Sequence, residues 1–232
     1  VLAKLKLPLR QEPDMEGWKN FLGKLKNPTS EVKIGLIGKY IELKDAYKSI
    51  AEALIHAGVS NETKVNVEWI HSEKLDDKNV QEKLGTLHGI LVAPGFGDRG
   101  IEGKINAIKF AREQKIPFLG ICLGMQCAVI EFSRNVLGLE NAHSTEMAPE
   151  TKYPVIDIMD EQKNITKKGG TMRLGEYPCN ITKNTKAAAI YGKSRISERH
   201  RHRYEFNNKY LKKFEDAGML ASGVNPNGSL VE

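Results

Sequence analysis

Three cysteines in 232 residues are too few, and an odd number, for a disulfide framework, so free thiols in a reducing cytoplasm are expected. No run of about 18 apolar residues occurs, so no membrane-spanning helix is expected. The opening VLAKLKLPLRQEP has a few leucines but no sustained apolar core and no small-residue cleavage site, so no signal peptide is expected. Internal repeats and low-complexity blocks are missing too. The formal net charge is +6, yet the basic residues are spread along the chain apart from ERHRHRYE. That one stretch, even with Tyr204 and Phe206 beside it, is thin ground for a nucleic-acid partner, and none is expected. What is present, 40% hydrophobic and 28% charged residues, suits a single α/β domain or one with extensions.

Residues 1–30 read as a linker followed by a short helix. Asp14 is placed to cap that helix, and Met15, Trp18, Phe21, Leu22 and Leu25 form its apolar face. Residues 31–232 read as the domain proper. VKIGLIGKY is a buried strand, and a helix follows with Asp45 before it and Ala46, Ile50, Ala53, Leu54 and Ala57 on one side. KVNVEWI and GILVA are strands, 101–113 is a helix striped by Ile101, Ile105, Ile108 and Ala111, and IPFLGI is another continuous apolar strand. Met125, Ala128, Val129, Phe132 and Val136 stripe the next helix. This alternation predicts a flavodoxin-like, three-layer, mainly parallel sheet with helices on both faces, where ligands sit at the carboxyl ends of the strands. After residue 140 the pattern changes. YPVIDIM and AAAIYG look like strands, the polar DEQKNITKKGGTMRLGEYP between them reads as a hairpin or long loop, and NPNG is a turn between MLASGV and SLVE.

Gly120-Ile121-Cys122-Leu123-Gly124 has the G-x-nucleophile-x-G form between a strand and a helix. Flanking glycines tolerate a sharp turn, a helix N-terminus favours a thiolate, and the Leu123 N–H can face a substrate carbonyl. On pattern alone, a nucleophile and a small buried residue both remain open for Cys122. Cys127, inside the helix without glycine neighbours, reads as core, and Cys179 has no constellation around it. VAPGFGDRG lies at the end of the preceding strand. Pro94 has no N–H to give, so Gly95 is the candidate for a second oxyanion donor; an ordinary strand-to-helix loop is the alternative.

GKYIELKDAYKSIAEAL, GFGDRGIEGK, PFLGICLGMQ, NAHSTEM, GGTMRLGEYP and SERHRHRYEFNN together resemble the glutaminase domains of CTP synthases, which are class I, triad-type glutamine amidotransferases. The resemblance runs from about residue 14 to the last residue. It implies that Cys122 attacks the side-chain amide of L-glutamine to give a thioester and ammonia. It implies Gly95 and Leu123 as the oxyanion hole, and Gly95, Leu123, Gly124, Met125, Gln126, Glu146 and Arg203 as glutamine contacts. It also implies delivery of ammonia to a synthetase (amidoligase) domain that uses ATP, Mg and UTP, activation by GTP, and a homotetramer. The loop from Phe96 to Gly103 and the segment with Arg173 resemble parts linked to that activation. No cofactor or metal is expected in residues 1–232 themselves, and no nucleic-acid or membrane partner. The family often has Gly where this chain has Pro94, which narrows the donor to Gly95.

The same resemblance places the base and its orienting carboxylate in a His-Pro-Glu motif beyond SLVE, so the 232 residues alone are expected to be poorly active. Among His56, His71, His88, His143, His200 and His202 none stands out as a replacement. The cluster Glu198, His200, His202 and Glu205 lacks a usual metal-ligand set, and reads as a structural and substrate-positioning segment. Two alternatives stay open: an inactive amidotransferase-like binding module, and another cysteine hydrolase on the same sheet type.

Overall fold

The computed structural model describes residues 4–8, 13–159 and 172–232. Its centre is a four-stranded parallel sheet of β1 (Ser30–Gly38), β2 (Thr63–His71), β3 (Gly89–Val92) and β4 (Phe118–Gly120), in the order β2-β1-β3-β4. Successive strand residues point to opposite faces, so the apolar runs of β1 and β3 feed two cores. On one face Leu36, Leu91 and Ala93 pack with Tyr47 and with Ile50 of α2 (Lys48–Ser60). On the other, Ile37, Ile90 and Val92 pack with α3 (Val80–Leu84), α4 (Ile101–Glu113) and α5 (Leu123–Asn135). The expected parallel sheet with helices on both faces is therefore present. Outside it, α1 (Glu16–Lys26) brings Phe21 edge-on to His56 of α2, and the Glu16 N–H is held by Asp14 Oδ1 at 2.9 Å, close to the capping role read for Asp14.

A second layer supplies the rest of the site. β5 (His143–Ser144), β6 (Pro154–Ile158) and β9 (Tyr204–Phe206) form one small sheet. β7 (Arg173–Ile181), β8 (Arg195–His202) and β10 (Gly223–Val224) form another, antiparallel one. Only Arg203 separates β8 from β9, so the chain passes between the two sheets at a one-residue corner.

Three sequence expectations change here. AAAIYG is helix, not strand: α6 spans Lys186–Tyr191, Thr185 Oγ1 accepts the Ala188 N–H at 3.2 Å, and Gly192 closes the helix at φ 61°. A run of alanines behind a threonine cap outweighs the apolar run that suggested a strand. The segment Arg173–Pro178, placed in a hairpin or long loop between two strands, is the first part of β7, paired with β8 from Arg173↔His202 onward; residues 160–171 of the same stretch lie outside the described residues. The short helix α3 was not read at all, because five residues are too few to show a period. The NPNG turn is present, with Val224 bridged to Val231.

One close approach fixes α4 against the end of β2: a Cβ on Gly103 would stand 1.7 Å from the Ser72 carbonyl oxygen. Gly103→Ala is expected to cost about 2–3 kcal/mol through overpacking and to lower the thermal midpoint by roughly 4–12 °C. A midpoint unchanged in calorimetry would contradict this packing.

Candidate active site

Cys122 sits at the junction of β4 and α5 with φ 55° and ψ −108°, a conformation that non-glycine residues rarely adopt. The glycines beside it are required by close contact. A Cβ on Gly120 would stand 2.5 Å from the Gly124 carbonyl carbon, and one on Gly124 would stand 2.2 Å from the Val92 carbonyl oxygen. The turn is thus folded tightly onto the end of β3, which is the physical form of a nucleophile elbow. Leu123 is the first residue of α5, so its N–H has no acceptor within the helix, and none outside it among the described residues.

The elbow opens on a cavity of about 120 Å³ lined by Gly95, Phe96, Cys122, Gln126, Glu146, Met172, Arg201, His202, Arg203 and Tyr204. Of the residues singled out in the sequence, Gly95, Cys122, Gln126, Glu146 and Arg203 are brought together there. Leu123, Gly124 and Met125 do not line it with their side chains. Leu123 and Met125 pack into the core, and Gly124 lies against Val92, so none of the three is among its lining residues. Gln126 Nε2 donates to the Tyr204 carbonyl at 3.0 Å, and Glu146 Oε1 accepts the Gly97 N–H at 3.2 Å. Cys127 is fully buried and its thiol is pushed up to about 12 by burial, which bears out a packing role.

His202, whose only tie to Cys122 in the sequence is its neighbour Arg203, lies beside it. It lines the same cavity as Cys122, and its Nδ1 is 3.2 Å from Glu205 Oε1. The corner at Arg203 causes this, turning the end of β8 towards the elbow while β9 carries Glu205 behind the imidazole. Burial by itself would lower the His202 pKa, but the hydrogen bonds to Cys122 and Glu205 outweigh it and raise the value to about 10. His202 therefore keeps its proton at neutral pH and is a donor rather than a free base. Behind it, Arg173 contacts Glu205 at 3.4 Å and is hydrogen-bonded to Glu232, while His200 Nε2 lies 3.2 Å from Glu232 Oε2. Arg173 is thus engaged in this buried cluster, whereas Phe96 is 56% exposed with the Arg201 guanidinium 5.9 Å from its ring centre. Among the described residues no group of three or more His, Cys, Asp or Glu side chains is arranged to hold a metal ion.

The family model of class-I glutamine amidotransferases matches residues 42–232. The chain belongs to that family. Among similar members, the CTP synthase of Cytophaga hutchinsonii is 68% identical over 232 residues, covering all of this chain and 43% of the relative. That of Methanocaldococcus jannaschii is 58% identical over 238 residues, covering all of this chain and 44% of the relative. A solved structure described as the Trypanosoma brucei CTPS glutaminase domain with bound acivicin superposes with a TM-score of 0.81 at 37% identity, covering 87% of this chain and 79% of that one. The chain thus spans less than half the length of these two CTP synthases and matches a glutaminase domain as a fold. No described helix of this amidotransferase chain is long and apolar enough to cross a membrane.

The His202 contact has a pH signature. Its folded pKa is raised above its ordinary value, so the stability it contributes is fully present below about pH 6.5 and is lost as pH rises to about 10. The unfolding free-energy difference between wild type and His202→Gln is expected to be largest at pH 6 and to vanish by about pH 10. A difference constant across that window would show that the imidazole is not paired with Glu205 and Cys122.

Proposed function

We propose that this chain is the glutaminase portion of a CTP synthase. In this reading it hydrolyses L-glutamine at Cys122 and supplies ammonia for the ATP-dependent amination of UTP to CTP in a synthetase portion. The observation that carries it is the strained Cys122 elbow opening on a small cavity that also presents Glu146 and Arg203. A carboxylate and a guanidinium in one amino-acid-sized cavity suit the α-ammonium and α-carboxylate of glutamine, with the amide end towards the thiol.

The chemistry follows from that placement. The thiolate, paired with the His202 imidazolium, attacks the amide carbon. The Gly95 and Leu123 N–H groups receive the developing oxyanion, the C–N bond breaks, and ammonia leaves once its nitrogen has gained a proton. Water then cleaves the thioester to glutamate and restores the thiol. The resemblance assigns the proton acceptor and donor of these steps to a His-Pro-Glu motif outside residues 1–232. It also assigns ATP, Mg and UTP to the synthetase portion, tetramer formation to that portion, and GTP activation to the region of Phe96–Gly103, where the exposed Phe96 and Arg201 support a planar ligand. A cytoplasmic location fits the free cysteines.

A diazo-ketone analogue of glutamine is expected to add to Cys122 alone, to be blocked by excess L-glutamine, and to leave Cys122→Ala unmodified by intact mass. Absence of glutamine protection would remove the glutaminase reading and favour a different cysteine hydrolase; absence of any labelling would favour an inactive binding module. Arg203→Met is expected to raise KM for glutamine roughly 10- to 100-fold, the worth of a charge-assisted hydrogen bond.

A further inference from the structure

Two lysines that the chemistry above does not use lie against the Gly95 turn. Lys104, on α4, is completely buried, with its Nζ 3.3 Å from the Ala93 carbonyl oxygen. Lys39, just past β1, is nearly as buried, and its Nζ donates to the Phe96 carbonyl oxygen. Both reach Gly95 itself: a Cβ built there would stand 3.7 Å from Lys104 Nζ and 3.7 Å from Lys39 Cε. No carboxylate lies within ion-pair distance of either lysine among the described residues.

This is an expensive arrangement. A buried ammonium without a counter-ion is disfavoured by desolvation, and among the described residues Lys104 has one hydrogen bond of moderate length for its three donors. Burial accordingly lowers the Lys104 pKa; Cys127 and Cys122 act against that, and the nearby Lys39 adds to it. A leucine at either position would fill the space without the penalty, so stability does not account for the pair.

The carbonyls they hold are those at the two ends of the turn Ala93-Pro94-Gly95-Phe96. Pro94 has no N–H, and the Gly97 N–H is committed to Glu146, so the peptide between Phe96 and Gly97 is gripped from both sides. The Gly95 N–H, between the two grips, has no acceptor among the described residues, and Gly95 lines the cavity with Cys122. Resting on the glutaminase reading, we propose that Lys39 and Lys104 are positioning residues: they hold the turn so that the Gly95 N–H is fixed as an oxyanion donor. They touch neither substrate nor the reacting atoms, and act through the carbonyls of Ala93 and Phe96.

The test uses Lys39→Met and Lys104→Met in the intact protein, with three readouts. Glutamine hydrolysis gives kcat and KM. L-Glutamate γ-semialdehyde, to which a thiol adds reversibly as a hemithioacetal, reads the oxyanion hole at equilibrium. Iodoacetamide alkylation of Cys122, a displacement that forms no oxyanion, reads the thiol alone. Each variant is expected to lose about 10- to 100-fold in kcat and a similar factor in semialdehyde affinity, the scale of a misplaced oxyanion donor. KM and the alkylation rate are expected to stay within about threefold of wild type, since uniform binding and the thiol are untouched. Alkylation falling as far as hydrolysis would overturn the proposal, because the ammonium groups would then act on the thiol. Unchanged kcat and semialdehyde affinity in the folded variants would overturn it as well. A wild-type protein that neither hydrolyses glutamine nor binds the semialdehyde would remove the glutaminase reading, and this inference with it. Two variants are used so that a folding failure of one leaves the other to decide.

Discussion

The whole site depends on one backbone conformation, the positive φ of Cys122. A residue held there costs about 1–3 kcal/mol and persists only where its surroundings leave no other choice. Those surroundings are visible. The Ile121 N–H is bonded to the Val92 carbonyl at 3.1 Å, the Gly124 N–H turns back to the Ile121 carbonyl at 2.9 Å, and two glycines permit backbone contacts that any side chain would block. Beyond the turn, α5 is anchored in the core by Leu123, Cys127, Val129 and Ile130. The apolar burial of that helix offsets the strain at Cys122, the residue before it. The nucleophile therefore projects from the rigid layer, and everything that moves into register with it must come from elsewhere.

What comes from elsewhere is the second layer, tied on by the residues that face the cavity. Gln126 on α5 donates to the carbonyl of Tyr204 on β9, and Glu146 accepts from Gly97 in the turn after β3. Each bond joins the parallel sheet to the small sheets, so the cavity is a seam. Glu146 uses one carboxylate oxygen for this, and its other oxygen belongs to a side chain that lines the cavity. The corner at Arg203 completes the seam, because a single residue between β8 and β9 puts His202 and Tyr204 on the same wall.

This division explains what could be read from residues alone. The parallel half obeys two periods, so its strands, its helices and the elbow between them were legible. Gly95 was marked by the proline before it, Gln126, Glu146 and Arg203 came from resemblance, and the fold gathers all four at one cavity. His202 was not legible as a neighbour of Cys122, because its position depends on an inter-sheet corner that no local pattern marks. The helix α6 was misread because Ala-Ala-Ala-Ile-Tyr is apolar without a period, leaving its threonine cap as the only cue. Lys104 did leave a trace. It falls between Ile101, Ile105 and Ile108 at helical spacing, on the face that packs into the core. A charged residue on an apolar stripe is either mispaired or used, and here it reaches a turn carbonyl.

The charges around the cavity are arranged unevenly, and the unevenness has a direction. On the His202 side, two carboxylates, Glu205 and Glu232, face the Arg173 guanidinium and the His202 imidazolium, with burial and Arg173 holding the His200 pKa down. That cluster is neutral only while His202 keeps its proton, which is the state its partners favour. On the Gly95 side, Lys39 and Lys104 stand without carboxylates. The cavity thus lies between a balanced group and an excess of positive charge. Burial disfavours the ammonium of Lys104, so this side of the cavity would gain from any negative charge that develops beside Gly95.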